Sequence, residues 1–78
     1  MLKDIHRIVI VDNLVFEPFS ARSLAPYLPQ TDEKRIAAYL RLNASKNPRN
    51  RHAFFIRYYR GWYRFNYLRL EDLAASGK

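Results

Sequence analysis

Apolar and polar positions divide the chain into four stretches. In residues 2 to 16, Leu2, Ile5, Ile8, Val9, Val11, Leu14 and Val15 recur at the spacing of a helix with a wide buried face. The run Ile8-Val9-Ile10-Val11 is β-branched and equally compatible with a buried strand; the spacing over the whole stretch favours helix. Glu17-Pro18 is the stop signal. Ser20 then caps a short helix carrying Ala21, Leu24, Ala25 and Leu28, limited by Pro26, which has no N–H to bond back to Arg22, and closed by Pro29. Thr31 is the expected cap of a further helix with Asp32 and Glu33 in its first turn, where carboxylates favour the helix dipole. Its interior runs from Lys34 to about Asn43, with Ile36, Ala37 and Leu40 toward the core and Lys34, Arg35, Ala38, Arg41 and Ser45 outward. Ser45 to Arg51 is a turn-forming, basic loop.

From Ala53 to Leu68 the pattern changes. Aromatic and β-branched residues flank the single Gly61, which predicts a β-hairpin. A loop of two residues, Arg60-Gly61, or of four, Tyr59 to Trp62, sets Tyr58 opposite Tyr63, Ile56 opposite Phe65 and Phe54 opposite Tyr67, an apolar face and the simplest core. The other face then pairs Arg57 with Arg64 and Phe55 with Asn66, leaving Tyr59 and Trp62 near the tip. A three-residue loop would set Arg64 opposite Ile56 and mix the faces, so burial favours the even loops. Like charges opposite one another are unfavourable in a ladder, and an anion beside Arg57 and Arg64 would relieve them.

Length adds that residues 1–78 form a single small domain. Apolar residues at 49% and charged residues at 27% are a globular balance. With no cysteine there is neither a disulfide framework nor a thiolate metal cluster, and a cytoplasmic setting fits best. No signal peptide or membrane span is expected, since Asp4 and Asp12 bracket the N-terminal apolar run.

Charge changes the picture more. Residues 1 to 33 carry three basic residues against five acidic ones, whereas Lys34 to Arg69 holds ten basic residues and no acidic one, in a chain of formal net charge +7. Solvated surfaces normally mix both signs. A one-signed segment of this length raises the on-rate for a polyanion, and nucleic acid is the leading partner class. Ten of the fourteen basic residues are arginine, whose planar fork suits phosphates and guanine edges.

The order of helix, short capped helix, turn, helix, basic loop and hairpin with an Arg-Gly tip resembles the winged helix-turn-helix class of DNA-binding domains over roughly residues 2 to 70. The residues carrying the likeness are Phe19 to Ala25, Ile36, Leu40 and Arg57 to Arg64. Pro29 stands where that motif usually has a glycine, and the spacing from Ala25 to Ile36 is one residue longer, so a looser turn is expected. The resemblance implies a small α+β fold of about three helices followed by a two-stranded wing. It implies base readout by Lys34, Arg35, Ala38 and Arg41, and phosphate or wing contacts by Arg57, Arg60 and Arg64; the basic loop adds Lys46, Arg49 and Arg51. Double-stranded DNA is the partner so implied. A homodimer through the outward side of residues 2 to 16, with Leu68, Leu70 and Leu73, fits the paired half-sites such domains often bind.

Acting by occupancy, such a protein would serve as a transcription regulator, an excision factor or an architectural accessory of phage or mobile-element type. A protein-interaction module or phage-type inhibitor is the alternative, because Tyr59 and Trp62 flanked by arginines also have the composition of a protein hot spot. RNA is a third partner class, if Phe55, Tyr59 and Trp62 lie on an open face. Tyr59 and Trp62 can equally close the hairpin by cross-strand packing, and the stems of Arg57 and Arg64 can cover apolar strand surface. No enzyme, metal or cofactor is expected. His6 and His52 are far apart, and Gly61 and Gly77 are too few for a phosphate-cradling loop. Ser20 and Ser23 have no base beside them for nucleophilic catalysis and suit capping instead. Ser76-Gly77-Lys78 is expected to fray.

Overall fold

A computed structural model describes residues 1–76 of the chain, without the side chains of residues 73–76. Among the described residues the fold is α+β, with four helices and a three-stranded mixed sheet. The first helix, α1 (Leu2–His6), continues as a π-helical turn, Arg7–Val11, in which the Asp12 N–H reaches the Arg7 carbonyl at 2.7 Å. Widening the turn keeps Ile5, Ile8 and Val9 buried together despite the β-branched run. The helix ends at Val11 rather than at residue 16, because Asn13 takes a positive φ of 52° and reverses the chain.

Ser20 caps α2 (Ala21–Leu24) through a reciprocal box with Ser23, its hydroxyl accepting the Ser23 N–H at 3.2 Å and Ser23 Oγ accepting the Ser20 N–H at 2.8 Å. Pro26 tightens the continuation into a 3-10 turn, Ala25–Tyr27. In α3 (Glu33–Leu42) the cap is Asp32, not Thr31: its Oδ1 accepts the Arg35 N–H at 2.9 Å, while the Thr31 N–H is spent on Leu28. Starting one residue later, α3 buries Ile36 and Leu40 and packs Tyr39 against the core. Ala37, expected inside, is exposed.

Three strands follow: β1 (Ala44–Ser45), β2 (Phe55–Tyr59) and β3 (Trp62–Phe65). The first runs parallel to β2 and the last antiparallel to it. The turn is the two-residue Arg60-Gly61 loop, with Gly61 at φ 83°, where L side chains are strained. Tyr59 pairs with Trp62, but a bulge at Tyr58 shifts the ladder so that Arg57 faces Tyr63, Ile56 faces Arg64 and Phe55 faces Phe65. The expected register is therefore off by one below the tip. The shift separates Arg57 from Arg64 onto opposite faces and brings Phe55 into the core, gains that the even ladder lacks.

Phe55 and Phe65 are fully buried with Phe19, their ring centroids 5.4 to 5.9 Å apart, and His6 packs edge-on to Phe65 at 5.7 Å. Phe19 and Tyr63 exchange both main-chain hydrogen bonds at 2.8 Å, adding one extended residue to the outer edge of β3. Ile56 is buried on the opposite face, while Tyr58 and Tyr67, expected in the core, are exposed. Tyr67 in fact opens a fourth helix, α4 (Tyr67–Ser76), where strand and tail were expected. Leu70 packs from it against the core. Of the frayed tail expected after it, Gly77 and Lys78 lie outside the described residues, as does the side chain of Leu73.

Candidate functional site

The outward side of α3 faces the hairpin across a groove of about 590 Å³. Ala37, Arg41, Ala44, Ser45 and Lys46 form one wall, and Arg57, Arg60, Gly61 and Tyr63 the other. Four of these side chains are cations and none is a carboxylate. The fold explains the convergence: α3 runs directly into β1, which lies beside β2, so the end of the helix and the hairpin tip share one concave surface. Ala37 adds little side-chain bulk to the groove lining.

Sequence expectation and geometry agree only in part. Arg41 lies in the groove with the wing cations Arg57 and Arg60 and the loop cation Lys46. Lys34 is exposed at the other end of α3, beside Asp32, Glu33 and Ala37. Arg35 sits on the other flank, its Nε 3.9 Å from Asp32. Ala38 is half-buried, and Ala37 takes the groove position assigned to it. With Asp32 at its cap and Glu33 in its first turn, α3 has carboxylates at its N-terminal end and the cation Arg41 in its last turn.

The loop residues divide similarly. Arg49 is exposed, its N–H held by Asn47 Oδ1 at 3.0 Å. Arg51 makes a two-pronged ion pair with Asp72 of α4, both contacts at 3.0 Å. That carboxylate raises the guanidinium pKa, and the guanidinium in turn lowers the Asp72 carboxyl pKa. Arg64 donates to the Phe65 carbonyl at 2.9 Å and lays its guanidinium 5.9 Å from the centre of the Tyr58 ring. Tyr59 and Trp62 are exposed at the tip, whereas Phe55 is fully buried and has no surface to offer a base.

Three further residues support the site in ways that the sequence does not signal. Asn66 is buried, and its Nδ2 donates to the carbonyls of Asn50 at 2.6 Å and Ala53 at 2.8 Å, tying the basic loop to the end of the hairpin. Asn50 Oδ1 in turn accepts the N–H groups of His52 and Ala53. Glu17 accepts the Phe65 N–H at 2.6 Å and the Tyr67 hydroxyl, and burial together with this carboxylate pushes the Tyr67 phenol up to about 12. The turn-forming composition of Ser45 to Arg51 points to a local turn, but not to which carbonyls Asn66 reaches.

Among the described residues no group of three His, Cys, Asp or Glu side chains is placed to hold a metal ion, and no helix is long and apolar enough to cross a membrane. Compared with known proteins, the chain matches no family model, and no curated protein or solved structure is significantly similar to it.

Proposed function

We propose that the protein binds double-stranded DNA in the manner of a small winged helix, acting by occupancy as a regulator or accessory factor. The observation that carries this is the groove, in which Arg41, Lys46, Arg57 and Arg60 converge with no carboxylate among the lining residues. Concave cationic walls concentrate field and counter-ions, and phosphates that replace those counter-ions gain the entropy of their release. The Phe19 bridge to Tyr63 supports the winged-helix assignment, since it adds an extended residue between the first two helices to the outer edge of the hairpin. Arg41 is the base-reading candidate and Arg57 and Arg60 are the backbone contacts. Lys34 and Arg35 contribute less, being next to Asp32 and Glu33.

The test is fluorescence anisotropy of a labelled duplex across a salt series. The expected result is an affinity falling steeply with salt, with each groove cation removed lowering the slope by about one. Arg41→Ala is expected to cost about 1–3 kcal/mol on a preferred site and to relax specificity there. A duplex affinity indifferent to salt, or to all four groove cations, would overturn the assignment.

A further inference from the structure

The hairpin carries a second surface with different chemistry. Tyr58, Tyr59 and Trp62 are 53%, 61% and 39% exposed, although aromatic rings elsewhere in the hairpin fill the core. In a regular strand, Tyr58 and Tyr59 would point to opposite faces. The bulge breaks that alternation, and their ring centroids stand 6.2 Å apart with the planes inclined by 47°. Tyr59 faces Trp62 across the turn, so three rings gather at one end of the hairpin. Arg64 adds a cation over the Tyr58 ring, anchored by its bond to the Phe65 carbonyl. Bulges are a common device for re-aiming side chains beside functional sites.

Aromatic rings beside fixed arginines suit unpaired bases, because every base has a π-face to stack and a phosphate nearby. Bases inside a duplex are already stacked on each other and cannot use such a surface. The two surfaces also meet: Arg60 and Gly61, which line the groove, are the residues between Tyr59 and Trp62. A strand leaving a duplex in the groove would reach the rings by turning round the Arg60-Gly61 tip.

We infer that Tyr58, Tyr59 and Trp62 form a stacking platform for unpaired bases, and that the preferred ligand is a junction between duplex and single-stranded DNA. This rests on the duplex-binding role of the groove. The experiment uses the full chain with a blunt duplex, the same duplex bearing a tail of about ten nucleotides, and the tail alone. Expected are about tenfold or tighter binding of the tailed duplex over the blunt one, the effect of about one stacked base, and quenching of Trp62, the sole tryptophan, by tailed but not blunt DNA. The double variant Tyr59→Ala, Trp62→Ala is expected to lose the tail advantage and to keep its blunt-duplex affinity. Equal binding of tailed and blunt DNA with unquenched tryptophan would overturn the platform while leaving the groove intact. So would a tail advantage that survives the double variant. If none of the three ligands binds, the groove assignment fails as well, and the aromatic tip is left as a surface for a protein partner.

Discussion

The two flanks of the hairpin treat their cations differently. On the α4 side, Arg51 is clasped by Asp72 through two hydrogen bonds at 3.0 Å, and Arg69 lays its guanidinium 5.3 Å from the centre of the Phe54 ring. On the α3 side, Arg41, Lys46, Arg57 and Arg60 line one groove, and none has an ion-pair partner among the described residues. Both sets come from the same acid-free segment. The difference teaches that part of its charge is consumed inside the fold and part is left converging on an open surface. Self-repulsion left in place on one side only is a cost that a polyanionic ligand would offset.

The contrast breaks most severely at Asn66, the buried amide that holds the basic loop against the hairpin. Asn66→Ala is expected to lose about 1–3 kcal/mol of stability, since it removes the two hydrogen bonds that the buried amide donates to the part-buried carbonyls of Asn50 and Ala53. Urea unfolding measures it. A loss near zero would mean that water reaches the Asn50 and Ala53 carbonyls, and that the loop is held without the Asn66 side chain.

A matched pair of neutralisations sharpens the comparison next. Arg57→Gln is expected to lower the salt slope of duplex binding by about one and to leave the midpoint of thermal unfolding nearly unchanged. Arg51→Gln is expected to do the reverse, lowering the unfolding midpoint slightly with little effect on the slope. Equal effects on binding would show that Asp72 does not withhold Arg51 from the ligand.

Much of the layout is legible along the chain: the Ser20 cap, the break at Pro26, the burial of Ile36 and Leu40 and a hairpin turning at Gly61. What was not legible depended on contacts distant in sequence or on single-residue register. Arg51 looks like its basic neighbours because Asp72 lies 21 residues away, in a helix that an aromatic-rich start at Tyr67 made look like strand. Parity without a bulge sets Phe55 outside and Tyr58 inside. Side-chain period two turns one inserted residue into an exchange of faces. Ala37 lies about 100° round the helix from Ile36, and two alanines in succession give the pattern no polarity to mark where the buried face ends.

The smallest expected effect is a pH response that separates the two carboxylate contacts. Tyr67 donates its hydroxyl to Glu17, and its pKa stands at about 12 against 10.0 for an unperturbed phenol. A folded-state pKa raised above the unfolded value means that the contact stabilises fully below pH 10, and that this contribution fades as pH rises toward about 12. Asp72 has the opposite sign: its carboxyl is held below the ordinary 3.8 by Arg51, so its contribution is present above that pH and fades as acid protonates it. Thermal unfolding against pH is therefore expected to fall at both extremes, with Tyr67→Phe removing part of the alkaline fall and Asp72→Asn part of the acid one. If Tyr67→Phe left the alkaline limb untouched, the link from the loop at Glu17 to the start of α4 would contribute nothing to stability. The hairpin would then be anchored on that side by the Phe65 N–H bond to Glu17 and the Phe19–Tyr63 bridge.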